Sequence, residues 1–206
     1  MSVINLTPRF NRASIFTERL PLKSPKTEYT GMIYHFRYGS METSYLDLPG
    51  HIAETDDGRH AGNIDLREFF RREAALIRLA PREGEYAISA AELEKAMEGK
   101  CWREWMVIHA LGVCDDGYVP ERRVSLSMEA VDLIIRKGVK VLFSDVWESR
   151  RLEGVFLRLF DSGVSTVCNL AGLHELPGDR EFKLTVSFLP YPGEVTQIPV
   201  SVLAEI

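Results

Sequence analysis

The stretch Met41-Glu42-Thr43-Ser44-Tyr45-Leu46-Asp47-Leu48-Pro49-Gly50-His51 carries the most informative pattern in this chain of 206 residues. In an extended segment, alternate side chains share one face, so a continuous strand would align the odd-numbered residues from Met41 to His51. The Pro49-Gly50 pair predicts a turn that interrupts the alignment before His51. One interpretation of the spacing is a functional site that includes Asp47 and His51. The spacing alone also fits an ordinary turn with a capping carboxylate.

Composition and charge are those of a globular chain. Hydrophobic residues make up 45% and charged residues 27% of the sequence, and the length suits one domain over residues 1–206. A net charge of −5 argues against a nucleic-acid or anionic-membrane partner. No apolar run is long enough to cross a bilayer, and the first residues lack the basic and apolar regions of a secretory signal.

The cysteines indicate a reducing compartment. Cys101, Cys114 and Cys168 are odd in number and lack C-x-x-C spacing. This pattern argues against a disulfide framework and against a zinc ribbon. We therefore expect a cytoplasmic protein.

The N-terminal part is predicted to consist of strands and irregular connections. Pro8, Pro21 and Pro25 interrupt the first residues, so residues 1–28 are expected to form an extended arm that lies across a neighbour. The segment 29–38 is rich in aromatic and β-branched side chains and is predicted to be a strand.

The rest of the chain alternates between helices and strands. A Ser89-x-x-Glu92 capping box predicts a helix start, and Gly138 and Gly163 mark helix ends. The order favours parallel pairing through right-handed crossovers. The predicted helices are 65–70, 90–98, 128–137 and 151–160, and the predicted strands are 75–79, 106–111, 139–143, 164–168, 182–189 and 198–205.

The opening stretch resembles the signature H-x-G-T-H-x-D-x-P-x-H of the cyclase superfamily, the metal-dependent amide and lactone hydrolases that include bacterial kynurenine formamidase. Asp47, Pro49 and His51 match this signature, whereas Met41 and Tyr45 stand at its two leading histidines. Later segments resemble family segments in the same order, namely Phe143-Ser144-Asp145, Phe156-Leu157-Arg158-Leu159-Phe160, Val167-Cys168-Asn169-Leu170 and Leu173-His174-Glu175-Leu176-Pro177.

The resemblance implies both a fold and an assembly. The expected fold is α/β, of the kynurenine formamidase-like swivelling β/β/α type, with a mixed sheet and parallel βαβ units in the C-terminal half. Family members are commonly dimers or tetramers in which partner segments close the pocket, so a homo-oligomer is expected.

The resemblance also implies a set of residue roles. Asp47 occupies a retained metal-ligand position, and His51 occupies the position of the general acid or base. The other ligand positions hold Met41, Tyr45, Phe156 and Cys168. Thioether and phenyl groups are poor ligands for hard or borderline divalent ions, and a tyrosine hydroxyl with its ordinary pKa of about 10 stays protonated at neutral pH. We therefore expect no metal cofactor.

Three interpretations of this site remain open. Asp47, His51 and Cys168 are one set of donors that zinc accepts. Alternatively, Cys168 is a nucleophile activated by His51, with Asp47 orienting the imidazole. The third possibility is a pocket without metal, in which Met41, Tyr45, Phe156 and Trp147 contact a small aromatic or amphipathic molecule.

Two functions of different classes follow from the sequence. The first is a hydrolase or cyclase that acts on a small amide or lactone through His51 and Asp47 without a dinuclear metal site. The second is a non-catalytic protein on the same scaffold, for small-molecule binding or assembly. Residues 115–121 and the N-terminal arm are expected to shape specificity, and His35 and His109 are expected to be core or pocket groups.

Overall fold

The computed structural model describes residues 2–9, 14–113, 123–178 and 180–206, so the 115–121 loop lies outside the described residues. The strands in the described ranges are β1 (Val3–Asn5), β2 (Ser14–Lys23), β3 (Glu28–Arg37), β4 (Tyr45–Asp47), β5 (Arg72–Arg78), β6 (Tyr86–Ile88), β7 (Trp105–His109), β8 (Val124–Leu126), β9 (Val141–Ser144), β10 (Ser165–Cys168), β11 (Phe182–Ser187), β12 (Gln197–Pro199) and β13 (Ser201–Glu205). The α-helices in the same ranges are α1 (Ala90–Ala96), α2 (Met128–Arg136) and α3 (Val155–Asp161).

A large mixed sheet forms the centre of the molecule. Its strand order is β1-β13-β11-β5-β7-β9-β10-β4-β12. Neighbours from β5 to β10 pair in parallel, and the remaining neighbours pair antiparallel. The parallel β9–α3–β10 unit lies in the C-terminal half. These features confirm the predicted mixed α/β class.

The sheet curls so that its two ends approach each other. The predicted strand 198–205 is in fact two strands, β12 beside β4 at one end and β13 between β1 and β11 at the other. Only Val200 separates them, and its N–H donates to the Ser44 carbonyl at 2.8 Å. Because the chain passes from one end of the sheet to the other within one residue, those ends must be adjacent.

Two hydrophobic cores lie on opposite faces of this sheet. Side chains alternate along each strand, so Val107 and Phe143 face the inside of the curl while Ile108 and Leu142 face the helices. The strands at the centre are therefore buried on both faces, as is usual for parallel strands covered by helices.

The helices begin where the sequence supplies caps. Ser89 accepts the Glu92 N–H at 3.3 Å and Glu92 accepts the Ser89 N–H at 2.9 Å, which confirms the predicted capping box. Ser127 caps α2 in the same way. The predicted helix at 65–70 is instead a 3-10 turn over Leu66–Phe69. In the described part of the chain, no helix is long and apolar enough to span a membrane.

The N-terminal segment differs from the single extended arm expected over residues 1–28. The strand β1 belongs to the central sheet, whereas β2 and β3 pair along their whole length as a separate two-stranded hairpin. Most of the side chains of this hairpin are exposed on both faces. His35 lies in the hairpin, where it is exposed and contacts Glu18 at 2.9 Å, so its expected place in a core or pocket is wrong.

A candidate acid-base site in an apolar pocket

The short strand β4 lies between β10 and β12. Its pairing with these two strands brings the polar side chains of the site together. Asp47 is paired with Gln197 of β12 and with Thr166 of β10. Tyr45 is paired with Cys168 of β10. The carboxyl, the amide and the thiol are thus brought together from three strands that are far apart in the sequence.

A turn after β4 places His51. Residues Pro49–His51 form a 3-10 turn, in which the His51 N–H donates to the Leu48 carbonyl at 2.8 Å. The turn is the one that the Pro49-Gly50 pair predicts, so the face shared by the odd-numbered residues ends before His51. The imidazole lies edge-on to the Phe160 ring with 6.5 Å between centroids, and its Nε2 lies 3.3 Å from Gln197 Nε2.

One cavity of about 560 Å³ contains this site. All seven residues that the sequence analysis assigned to the site line it, namely Met41, Tyr45, Asp47, His51, Trp147, Phe156 and Cys168. The Trp147 and Phe156 rings stack, with centroids 5.3 Å apart and planes 24° apart, and so form a flat aromatic wall. The cavity has the size and the apolar lining of a small-molecule site.

Asp47 is buried, and its surroundings raise the pKa of its carboxyl. Only 2% of the residue is exposed. Burial raises the pKa from the usual 3.8 to about 6, while the positive charge that His51 carries when it is protonated and interactions with Gln197 and Cys168 partly oppose this rise. The carboxyl oxygen Oδ1 has no hydrogen-bond partner among the described residues. Asp47 is therefore a buried carboxyl that titrates close to neutral pH.

Cys168 lies beside this carboxyl as a protonated thiol. Its Sγ donates to Asp47 Oδ2 at 3.8 Å and lies 3.8 Å from Thr166 Oγ1. Burial raises the pKa of the Cys168 thiol well above its usual value, and the negative charge of Asp47 raises it further. A nucleophilic cysteine needs the opposite shift, so this environment opposes the nucleophile hypothesis.

The donors around Asp47 do not fit the metal that the cyclase resemblance implies. Among residues 2–9, 14–113, 123–178 and 180–206, no group of three or more His, Cys, Asp and Glu side chains is arranged to hold a metal ion. The cavity wall instead presents Met41, Tyr45 and Phe156, at positions where the cyclase resemblance implies metal ligands.

Several polar residues of the cavity were not identified from the sequence. Gln197 and Glu148 both line it. The Glu148 carboxylate is buried and accepts four backbone N–H groups from Ser149, Glu153, Gly154 and Val155 at 2.8–3.0 Å. These bonds hold residues 149–154 as a loop, which explains why α3 begins at Val155 and not at residue 151.

His109 is one of the expected core groups, and the structure confirms its burial. Its Nδ1 lies 2.7 Å from Asp145 Oδ2, at the carboxyl ends of β7 and β9. Asp145 also accepts the N–H groups of Ala110 and Leu111, and it lines the cavity. This pair joins the ends of two neighbouring strands beneath the pocket.

Comparison with known structures agrees with the fold. The structurally similar proteins include a crystal structure described as a novel cyclase, with a TM-score of 0.78 and 15% identity over 100% of this chain and 88% of that one. Isatin hydrolase A from Labrenzia aggregata, bound to benzyl benzoate, has a TM-score of 0.71 and 13% identity over 100% and 93% of the two chains. An isatin hydrolase bound to the product analogue thioisatinate has a TM-score of 0.67 and 12% identity over 99% and 92%.

The sequence comparisons are more restricted. No curated protein matches the chain. A family model described as "Putative cyclase" matches residues 4–149, which is more than half of the chain and includes the stretch from Met41 to His51. The protein therefore belongs to the cyclase family.

Proposed function

We propose that the protein is a hydrolase that cleaves a small, uncharged amide or lactone with Asp47 and His51, without the dinuclear metal site usual for the family. The observation that carries the proposal is the buried Asp47 carboxyl, with its pKa raised to about 6, in the wall of an apolar cavity that His51 also lines. Buried polar atoms are rarely left unpaired. An N–H or O–H group of a bound molecule would give Asp47 Oδ1 the donor that it lacks among the described residues.

The raised pKa suits Asp47 for the role of general base, because a base is most effective when its pKa lies near the working pH. Asp47 would take a proton from water as the water oxygen bonds to the substrate carbonyl carbon. The bond from this carbon to the leaving nitrogen or oxygen then breaks, and that atom keeps the electron pair. Asp47 would return to the leaving atom the proton that it took from water, and His51 would donate a hydrogen bond to the substrate carbonyl oxygen as negative charge develops on it. One water is consumed, and the products are a carboxylic acid and an amine or an alcohol.

The aromatic wall supports a flat substrate. The stacked rings of Trp147 and Phe156 offer a face on which an aromatic ring packs favourably. Two of the structurally similar proteins are isatin hydrolases, one bound to a product analogue. Ring amides and ring lactones fused to an aromatic ring are therefore the first compounds to test, with isatin among them.

The test is hydrolysis of such a panel by protein treated with a chelator. We expect turnover that survives chelation and falls by a factor of about 100 or more in Asp47→Asn and in His51→Gln, since general acid-base groups contribute about 10² to 10⁴. Asp161→Asn, which removes an exposed carboxylate outside the cavity, is the matched control and should keep full activity. Turnover that is lost on chelation and restored by a divalent ion would contradict the proposal.

The second candidate is a non-catalytic binding protein. The apolar lining of the cavity and the absence, within the described ranges, of a metal-binding group favour it. A binding protein would give saturable changes in the fluorescence of Trp147 with aromatic ligands, with no product formed from any of them. The same panel therefore decides between the two functions.

We also propose that the hairpin of β2 and β3 packs against a second copy of this chain. Phe16, Tyr34 and Phe36 are more than half exposed on it. An isolated two-stranded hairpin is only marginally stable in water, and large exposed apolar patches usually mark interfaces. Residues 14–37 carry four basic and two acidic side chains in a chain of net charge −5, so the acidic remainder of another copy attracts the hairpin.

Light scattering after size-exclusion chromatography tests this assembly. We expect a dimer or tetramer for the natural chain and a smaller species when Phe16 and Phe36 are both changed to serine. Lys26→Ser, at the exposed turn of the hairpin, is the control and should not change the mass. A monomeric natural chain would contradict the proposed assembly and leave the proposed chemistry unaffected.

A further inference from the structure

Three polar side chains form a connected row at the wall of the cavity. The Ser40 hydroxyl donates to Gln197 Oε1, and Gln197 Nε2 lies 3.3 Å from His51 Nε2. Each side chain comes from a different part of the chain, since Ser40 precedes β4, His51 follows it and Gln197 begins β12. The pairing of Gln197 with Asp47 across β4 and β12 fixes the amide beside the carboxyl.

The chemistry of the amide sets the direction of these hydrogen bonds. An amide nitrogen only donates, so in this arrangement His51 Nε2 is an acceptor and carries no proton. The neutral imidazole then holds its proton on Nδ1. Ser40, which donates to Oε1, and His51, which accepts from Nε2, therefore indicate the same orientation of the amide.

We propose that Gln197 is a positioning residue that holds His51 in working geometry beside Asp47 by directing its amide nitrogen towards the imidazole. This inference rests on the proposed function, because it gives His51 the Nδ1–H form that donates a hydrogen bond to the substrate. A neutral amide can orient an acid and an imidazole without adding a charge to an apolar cavity, where an unpaired ion is costly. In this site the amide contacts the imidazole, and its residue pairs with Asp47 in the neighbouring strand.

The Ser40 hydroxyl is the second part of the arrangement. Without its donor, the Gln197 amide is free to rotate and present its carbonyl oxygen to His51. His51 would then carry its proton on Nε2. Ser40→Ala therefore removes the hydrogen bond that orients the Gln197 amide. Because Ser40 lies outside β12, this change leaves the pairing of β12 with β4 intact.

The test is ¹⁵N NMR of the histidine-labelled full-length chain at mildly alkaline pH, with His51 assigned from the spectrum of His51→Gln. We expect an unprotonated Nε2 in the natural protein, and a mixture of both tautomers in Gln197→Leu and in Ser40→Ala. In Gln197→Glu, the carboxylate accepts a hydrogen bond, so the proton should move to Nε2. Thr196→Val, one residue away on the same segment, is the control and should keep the natural tautomer.

The activity of the same variants separates this inference from the proposed function. If the protein is a hydrolase, Gln197→Leu should lower kcat by roughly tenfold, the effect of one hydrogen bond, with little change in KM. If no substrate is turned over, the tautomer measurement still decides the role of Gln197. A natural protein with its proton on His51 Nε2, or a tautomer that Gln197→Leu leaves unchanged, would overturn the inference.

Discussion

Replacing Asp47 with asparagine should change how the stability of the protein depends on pH. The pKa of this carboxyl rises from 3.8 to about 6 because the residue is buried in an apolar wall. The folded protein therefore holds the Asp47 proton more tightly than the unfolded chain does. For a group with a raised folded-state pKa, the favourable contribution is present at low pH and is lost as the pH rises through the two values. The window here runs from about 4 to about 6.

The size of the effect follows from the same pair of values. The difference between 3.8 and about 6 corresponds to about 3 kcal/mol of unfolding free energy. The natural protein should lose about this amount, from Asp47 alone, between about pH 4 and pH 7. Asp47→Asn has no proton to lose, so its curve should lack this decline. At neutral pH the variant should be as stable as the natural protein or more stable, even though it loses the proposed base.

Denaturant unfolding at closely spaced pH values measures both curves. Asp161→Asn is the matched control, since it removes a carboxylate that is largely exposed and makes the same change in net charge. We expect the difference between natural protein and Asp47→Asn to grow with pH across the window, and the difference for Asp161→Asn to stay nearly constant. If unfolding free energy depends on pH in the same way for the natural protein and for Asp47→Asn, the argument that burial disfavours the ionised form of Asp47 is refuted.

The other predictions concern the remainder of the cavity. Because burial raises the pKa of the Cys168 thiol, iodoacetamide should alkylate exposed Cys101 much faster than Cys168 at mildly alkaline pH, as measured by mass spectrometry of peptides. Glu148→Ala should lower the unfolding free energy by about 3 kcal/mol, and Glu148→Gln by less, because alanine leaves four backbone N–H groups without their acceptor. Phe156→Ala should weaken the binding of aromatic ligands by about tenfold, as read from Trp147 fluorescence, because the stacked wall is lost.

The sequence indicates which residues share the cavity through two local patterns. Cys168 ends an apolar strand, and Asp47 and His51 flank the turn at Pro49-Gly50. The resemblance to the cyclase family predicts that these segments contribute to the same site. All of the residues assigned in this way line one cavity, although their roles stay predictions.

Other features depend on contacts that no local pattern encodes. Gln197 reaches the site only because β12 pairs with β4 when the sheet curls, and that pairing joins residues 150 positions apart. The division of the last predicted strand into β12 and β13 has the same cause. The start of α3 was misplaced because the buried Glu148 carboxylate takes the N–H groups of the preceding loop. The sequence predicts one extended arm over residues 1–28 because the hairpin is exposed on both faces. Such strands do not need the alternation of apolar and polar side chains by which a half-buried strand is identified.

The central claim is that Asp47 and His51 act in a cavity whose other ligand positions have lost their metal donors. The most direct test is anomalous diffraction from crystals of the natural protein grown with excess zinc, with data collected on both sides of the zinc absorption edge. We predict no anomalous peak within coordination distance of Asp47, and an amide of Gln197 that still contacts His51. An ordered zinc ion bound by Asp47 together with His51 or Cys168 would contradict the claim.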